Sequence, residues 1–313
     1  MATVEEDAPV RFDRAAARKV ARQTRKNEND ARKRLTSKTA TVAAIIIAIV
    51  WTIPTFGLFV TSFRPGADSS VTGWWTVFTN PDFTLGNYKA ALTAGGTALT
   101  LGESFLNSLA ITIPATLIPI ALASMAAYAF AWIDFRFKNF LFIAIFALQI
   151  VPLQITLIPL LEIFVHMHIT GTFWTLWLAH STFALPLAIY LLHNFMREVP
   201  AGLIEAARVD GAGHVSIFFR VMLPLLTPAL AAFGIFQFLW VWNDLFVGLV
   251  MSGGNPDISP ITVKINLLVG STSGAGGEVI PAAAFVSIVI PLVVFIALQR
   301  YFVRGLLAGS VKG

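Results

Sequence analysis

The sequence predicts an all-α, polytopic membrane protein that crosses the bilayer with six helices. Of its 313 residues, 56% are hydrophobic and 12% are charged, whereas soluble domains carry about 25% charged residues. The chain also contains long runs without Asp, Glu, Lys or Arg, and about 20 apolar residues are enough for one helix to cross the hydrocarbon core. Lys and Arg are concentrated in alternate segments between these runs, which is typical of multi-pass membrane proteins.

The charge-free runs define the helices in chain order. The first run follows a basic region, but it is longer than the apolar part of a signal peptide and has no small-residue cleavage pattern after it, so we interpret it as a retained anchor. The fourth run, 163–196, is too long for one span. We place its helix near its C-terminal end and expect 163–171 to be an interfacial segment. The predicted helices are 39–63, 104–133, 139–161, 172–195, 221–243 and 279–299.

The distribution of basic residues predicts the orientation. Segments 1–38, 134–138, 197–220 and 300–313 together hold 19 Lys and Arg, and the alternate segments, which include 64–103, hold 3. By the positive-inside rule both termini are cytoplasmic, and 64–103 is extracytoplasmic. The transmembrane domain proper is 104–299, and 300–313 is a cytoplasmic C-terminal tail.

The excess of positive charge lies in the N-terminal tail. Segment 1–38 holds 11 Lys and Arg against 6 Asp and Glu, while the whole chain has a net charge of +5. Because an apolar run follows the tail at once, we expect its anionic partner to be membrane lipid and not nucleic acid.

Composition also argues against several kinds of chemistry. The chain has no cysteine, which excludes disulfides and thiolate metal sites. The glycine-rich stretch GSTSGAGGE, 270–278, lacks the lysine of a phosphate-binding loop. Within the predicted spans the only ionisable side chains are His180 and His193, which weakens any ion-coupled mechanism. We expect no catalytic residue and no metal site.

Neutral polar residues within the spans are candidates for a solute path. Gln237, Trp240 and Asp244 are spaced so that they share one face of the fifth helix, and amide and indole groups can bind a hydroxylated neutral solute. Alternatively, Gln237 forms a hydrogen bond to a neighbouring helix and Trp240 belongs to the interfacial aromatic belt, where we also place Trp242. The candidate path residues are Gln154, Gln237, Trp240 and Asn243.

The segment from Arg197 to Pro224, REVPAGLIEAARVDGAGHVSIFFRVMLP, is the most informative part of the chain. Pro200 suits a first helical turn, and Gly211 can adopt the left-handed conformation that ends a helix. We therefore predict a short helix, a glycine corner and a second helix. Ala206 and Ala207 would allow close approach of a partner, and Glu205 would offer it one anionic contact.

This segment resembles the EAA loop of binding-protein-dependent ABC importer permeases, EAA-x3-G-x9-I-x-LP. Only the isoleucine differs, because Val221 occupies its position. FTLGNYKAAL at 83–92, FLNS at 105–108, VPLQITLIPL at 151–160, ALPLAIY at 184–190, VWNDL at 241–245 and the ending LQRYFVRGLLAGSVKG are similar to the maltose-type second permease of the carbohydrate subgroup. The resemblance covers 83–313.

The resemblance implies a type I ABC importer permease fold and a set of partners. In that family the EAA loop, here 197–220, forms a coupling helix that docks into a cytoplasmic ATPase subunit. The implied coupling residues are Glu205, Ala206, Ala207, Asp210, Gly211, Leu223 and Pro224. The implied assembly adds a second, non-identical permease, two copies of the ATPase, which bind ATP and Mg²⁺, and an extracytoplasmic sugar-binding protein. This subunit would hold no cofactor and would lie in the bacterial cytoplasmic (inner) membrane.

The implied function is translocation of a sugar or oligosaccharide, and VWNDL and the tail are most similar to permeases for α-glucosides and related oligosaccharides. Two other classes stay open. A stand-alone secondary transporter of a neutral solute would need an ion-coupling residue in the spans and has no use for the EAA helix. A membrane scaffold would leave the polar residues of the spans unexplained.

Overall fold

A computed structural model describes residues 38–93, 100–271 and 279–310, and these residues form helices and turns with no β-strand. The α-helices are α1 Lys38–Ser62, α2 Gly66–Ser69, α3 Gly86–Thr93, α4 Leu101–Trp132, α5 Lys138–Ala147, α6 Leu153–His166, α7 Phe173–Glu198, α8 Ala201–Val209, α9 His214–Ile217, α10 Leu223–Asn243, α11 Phe246–Met251, α12 Ile261–Ser271 and α13 Val279–Ser310. Short 3₁₀ helices occupy Trp74–Phe78, Leu148–Ile150 and Pro256–Ile258. Most of the basic tail, the glycine-rich stretch from 272 to 278 and the last three residues lie outside the described part.

The chain divides into two compact units, Met1–Leu58 and Phe59–Gly313. The described residues of the first unit form most of α1, an apolar helix with a mean hydropathy of 2.3 over its most apolar window. The second unit contains the other helices and all the residues predicted to contact a solute or an ATPase.

Five of the described helical stretches are long and apolar enough to span a membrane. They are Lys38–Ser62, Leu101–Trp132, Phe173–Glu198, His214–Asn243 and Val279–Gln299. A sixth candidate, third in chain order, is the bent pair Lys138–Ile150 and Leu153–His166, whose axes meet at 109°. The expected all-α architecture with six apolar helical segments is therefore present, provided that the bent pair counts as one segment.

The bent pair corrects the single helix predicted over 139–161. Val151 and Pro152 both have extended backbone, with ψ angles of 121° and 129°. A proline disfavours helical backbone at the residue before it and lacks the N–H that a continuing helix needs, so the helix ends and α6 begins in a new direction. Helix α6 then continues to His166, into the segment 163–171 that we expected to be interfacial.

Buried side chains of the second unit form three clusters. The first cluster joins α4 and α7 to the segment 204–233 and includes Tyr128, Ile204 and Met222. The second cluster lies between α4, α6, α7, α10 and α11, and the third between α3, α4, α10, α12 and α13. Trp240 packs at the edge of both the first and the second cluster.

Small residues allow α4 and α7 to pack closely. Ala123 and Ala127 of α4 and Ala184 and Ala188 of α7 are all buried in the first cluster. Alanine side chains at a helix–helix contact let the two backbones approach, which is the usual basis of packing within membranes.

Candidate coupling surface and cavity

Helix α8 turns one face towards the protein core and the other away from it. It begins directly after Pro200, whose ψ of 130° lies outside the helical range. Ile204 is buried and Ala207 is half-buried against the first cluster, whereas Glu205 and Ala206 are exposed. Residues three apart lie on the same side of a helix, so burial of Ile204 and Ala207 leaves Glu205 and Ala206 available for contact.

The end of α8 is a glycine corner stabilised by two backbone hydrogen bonds. The N–H of Gly211 donates to the carbonyl of Arg208 at 2.9 Å, and the N–H of Ala212 donates to the carbonyl of Ala207 at 2.9 Å. This pattern is the Schellman motif, which requires a left-handed residue at the first position after the cap. Gly211 supplies it with a φ of +82°, and Asp210 is the exposed capping residue before it.

Exposed apolar side chains flank this corner. Val209 is 87% exposed and Val215 is 73% exposed. In the described part of the chain the carboxylate of Glu205 forms no ion pair. Exposed apolar groups with an unpaired charge are chemically suited to a protein partner that supplies apolar side chains and a basic group.

Leu223 and Pro224 lie apart from the exposed corner. A π-helical turn, Phe218–Met222, joins α9 to α10, so that His214–Asn243 is one continuous helical stretch. Leu223 packs against the first cluster and Pro224 is exposed at the start of α10. These two residues therefore connect the corner to the helix that follows it.

A cavity of about 590 Å³ lies between the break in the bent pair and helices α7 and α10. Its volume is within the range of about 300–1,000 Å³ that is usual for small-molecule sites. It is lined by residues 148–154, by Thr156 and Leu160 of α6, by Thr182, Phe183, Ala184, Pro186 and Leu187 of α7, and by Phe233, Phe236, Gln237 and Trp240 of α10. None of these lining residues is charged.

Three of the four predicted path residues meet at this cavity. Gln154 comes from the first turn of α6, and Gln237 and Trp240 come from α10. The fourth, Asn243, is not among the lining residues. Its side-chain amide donates to the carbonyl of Leu239 at 2.7 Å within its own helix.

The Gln237 side chain also anchors two helices to each other. It is 1% exposed, and its Nε2 donates to the carbonyl of Ala115 in α4 at 3.2 Å. The interhelical hydrogen bond that the sequence left as an alternative is therefore present, and the same side chain contributes to the cavity wall.

Trp240 is oriented by a buried histidine. The rings of His180 and Trp240 meet edge to face, with centroids 5.9 Å apart and planes at 87°. His180 is 2% exposed, so its ring is buried against the indole.

Trp242, in contrast, is buried in the third cluster. It donates its indole N–H to the carbonyl of Ser287 at 3.0 Å, which differs from the interfacial position that the sequence favoured for it.

Several residues of these sites were not selected from the sequence. Gln149, Thr156 and Thr182 line the cavity; the neutral polar character of Gln149 within a span was its only signal.

Asp244 lies beyond the cavity and caps α11, because its carboxylate accepts the N–H of Gly248 at 3.1 Å. Burial raises the pKa of the Asp244 carboxyl, although the backbone N–H groups of Gly248, Val247 and Phe246 partly oppose that rise.

Comparison with known proteins defines the class. The family described as the binding-protein-dependent transport system inner membrane component matches residues 119–307, and the chain belongs to this family of ABC importer permeases. It is therefore a multi-pass membrane protein of a permease family whose members are not enzymes themselves and work with an ATPase and a substrate-binding protein.

Individual relatives are similar over most of the chain. The osmoprotective compounds uptake permease protein GgtD of Synechocystis sp. is 49% identical over 275 residues, which are 87% of this chain and 91% of that protein. The alpha-glucoside transport system permease protein AglG of Rhizobium meliloti is 49% identical over 77% of this chain and 63% of its own length. A bacterial ABC transporter involved in the import of the acidic polysaccharide alginate has the same fold, with a TM-score of 0.67 at 22% identity over 85% of this chain and 98% of the solved chain.

Proposed function

We propose that this chain is the passive, pore-forming permease subunit of an ATP-driven importer of a neutral sugar or oligosaccharide. The observation that carries the proposal is the outward face of α8, where Glu205 and Ala206 are exposed beside the rigid corner at Gly211. Exposed small and acidic side chains beside a rigid turn support the assignment of α8 as a coupling helix. The contact set would be Glu205, Ala206, Ala207, Asp210 and Gly211, with Leu223 and Pro224 passing movement into α10.

The cavity supports the choice of a neutral, hydroxylated solute. Its polar groups are the amides of Gln149, Gln154 and Gln237, the hydroxyls of Thr156 and Thr182 and the indole of Trp240, among otherwise apolar side chains. Amides and hydroxyls can replace the water around sugar hydroxyls, and an aromatic surface stacks on the sugar ring. The names of AglG and GgtD, an alpha-glucoside permease and an osmoprotective compounds permease, agree with an α-glucoside or a related solute.

The proposed assembly has four kinds of subunit. A second, non-identical permease would complete the path, two ATPase copies would bind ATP and Mg²⁺, and a sugar-binding protein would deliver the solute, while this chain would hold no cofactor. The 19-to-3 distribution of Lys and Arg supports an orientation with both termini in the cytoplasm. The family description, an inner membrane component, supports a bacterial cytoplasmic (inner) membrane location.

The test is to purify the complete complex and measure which sugar, loaded on its binding protein, stimulates ATP hydrolysis. Stimulation by a neutral sugar is the expected result. Uptake that continues without ATP and stops when the proton or sodium gradient is collapsed would instead indicate a secondary transporter and contradict the proposal.

Variants of the corner test the coupling surface. Glu205→Lys reverses the contact charge, and Gly211→Val places a β-branched residue at a φ of +82°, a conformation that costs roughly 1–2 kcal/mol for residues with a Cβ. Both variants should reach the membrane yet lose ATPase association and sugar uptake. Gly270→Ala is the matched control, because a Cβ at Gly270 meets no atom within 4 Å and this glycine lies in α12, away from α8 and the corner. Full uptake by either corner variant would contradict the assignment.

A further inference from the structure

Tyr128 and His214 connect two helices near the glycine corner. Tyr128 lies in the last turns of α4, is 5% exposed and belongs to the first cluster. Its hydroxyl and Nδ1 of His214 are hydrogen-bonded at 3.1 Å. The Tyr128 ring also meets the ring of Phe218 edge to face, with centroids 5.4 Å apart. The side chain of one helix therefore contacts both the start of α9 and the start of the π-helical turn.

His214 occupies a mechanically important position. It is the first residue of α9, three positions after Gly211, and the helical stretch that begins there continues without interruption to Asn243. A displacement of the corner would pass directly along this stretch to Gln237 and Trp240 in the cavity wall. The π-helical turn within it is a kind of irregularity that often occurs at functional sites.

Helix α4 offers a second route from the corner to the cavity. It packs on α7 through Ala123, Ala127, Ala184 and Ala188, and α7 supplies the cavity wall that includes Thr182. Nearer the N-terminus of α4, the carbonyl of Ala115 accepts the hydrogen bond from Gln237 of α10. Helix α4 is thus joined to the continuous stretch His214–Asn243 at two positions, by the Tyr128–His214 pair and by the Ala115–Gln237 pair.

We propose that the Tyr128–His214 hydrogen bond makes α4 move together with the glycine corner, so that both cavity walls, α7 and α10, respond when α8 is displaced. Tyr128 and His214 are positioning residues, since neither lines the cavity. The inference rests on the proposed function, in which an ATPase displaces α8. Helix α7 is joined to α8 through Val199 and Pro200, but it also packs along α4. Without the hydroxyl, a stationary α4 would therefore hold α7 back while the corner moved α10.

A reporter in the cavity can test this inference without knowledge of the solute. The chain has no cysteine, so Thr182→Cys introduces the single thiol of this subunit at an exposed, cavity-lining position. The complete complex in nanodiscs is treated with a charged methanethiosulfonate reagent, with and without ATP and orthovanadate. The rate of modification is read on the permease band alone.

The variants separate the hydroxyl from the ring. Tyr128→Phe keeps the ring contact with Phe218 and removes only the hydrogen bond to His214. His214→Ala removes the same hydrogen bond by removing the imidazole. His214→Asn retains a polar atom near the position of Nδ1 and should restore the bond. Tyr190→Phe, in the neighbouring α7, removes the same atom from a ring that stacks on Phe146 and is the matched control.

We expect orthovanadate to change the modification rate of the introduced thiol roughly fivefold or more in the otherwise unsubstituted complex, a size typical of coupling between sites. This vanadate-dependent change in rate should be lost in Tyr128→Phe and in His214→Ala, and it should persist in His214→Asn and in Tyr190→Phe. Combining Tyr128→Phe with His214→Ala should reduce the change no further than either substitution does alone. ATPase association and vanadate trapping should be retained throughout, which a merely destabilising substitution would not do.

A vanadate-dependent change that survives in Tyr128→Phe would overturn the inference and leave the proposed function intact. Loss of the vanadate-dependent change in Tyr190→Phe as well as in Tyr128→Phe would also overturn the inference, because the change would then not depend on the Tyr128–His214 hydrogen bond. Absence of any change in the unsubstituted background would overturn the proposed role of the cavity and the inference with it.

Discussion

At the scale of single residues, the two proposed sites depend on different properties of their side chains. Gly211 matters for its backbone: its φ of +82° closes the corner, and no atom lies within 4 Å of a Cβ added there. A residue with a side chain is therefore disfavoured at this position by the backbone conformation and not by steric crowding. Trp240 matters for its side chain, because its indole lines the cavity and is held edge-on by His180.

Trp240 and Gln237 should respond differently to substitution. Trp240→Ala removes an aromatic surface from the cavity, and we expect lower uptake per assembled complex or a changed sugar preference. Gln237→Ala also removes the bond to Ala115, and interhelical hydrogen bonds contribute about 0.6 kcal/mol in membranes, so we expect it to reduce assembly as well. Quantifying complex per cell and uptake per complex separates these effects. Trp240→Phe is the control, and normal uptake per complex in Trp240→Ala would contradict the role of this wall.

Asp244 leads to a prediction about pH. Burial raises the pKa of its carboxyl above the ordinary value of 3.8, so between the ordinary and the raised pKa the folded protein binds more protons at this site than the unfolded protein does. The contribution of Asp244 to the free energy of unfolding therefore falls as pH rises through this window and stays lower above it.

Replacing Asp244 by Asn should remove this pH-dependent loss. Asn keeps an oxygen that can accept the N–H of Gly248, whereas Ala loses it, and loss of a capping oxygen typically costs about 1 kcal/mol. At about pH 7 we expect the thermal midpoint of the purified complex to be unchanged or higher for Asp244→Asn and lower for Asp244→Ala. A midpoint for Asp244→Asn that falls as far as that of Asp244→Ala would contradict the assignment of a buried, destabilising charge.

At the scale of elements, the break in the bent pair shapes the cavity. Residues 148–154 contain the break and all line the cavity, and the two helices meet there at 109°. A straight helix over this stretch would carry Gln154 to a different position relative to α10.

Replacing Pro152 tests the importance of this break. Pro152→Ala restores an N–H and relieves the restriction on Val151, so it allows helical backbone across the break. We expect uptake per complex to fall, with ATPase association unchanged, because α8 is not altered. Pro159→Ala removes a proline from inside α6 and should preserve uptake. Equal uptake in both variants would show that the break is not needed.

At the scale of the whole molecule, the number and direction of crossings can be measured directly. The 19-to-3 distribution of basic residues predicts six crossings with cytoplasmic termini. Reporter fusions after Gly73 and Gly276 should be active outside the cytoplasm, and fusions after Arg136 and Gly313 inside it. One reversed result at any of the four sites would refute this topology. It would also require another account of the bent pair, which in chain order is the third of the six predicted crossings.

The sequence was sufficient for the features that depend on composition or on local backbone chemistry. Apolar run length predicted the helical segments, since a helix in a bilayer must be apolar along its length. The left-handed corner at Gly211 was also predictable, because few other residues adopt its φ without strain. The fixed spacing around Glu205 was enough to indicate the importer permease family, which the comparisons confirmed.

Only the tertiary structure decided which side chains meet. Gln154 and Gln237 lie 83 positions apart in the chain yet line one cavity, whereas Asn243, on the same helix as Gln237, bonds within its own helix. Helical periodicity predicts which face a residue occupies but not which helix that face meets. That choice depends on packing between distant segments, such as the alanine contact of α4 with α7 and the change of direction at Pro152. The Tyr128–His214 pair, formed across 86 positions, could not be inferred from the chain alone for the same reason.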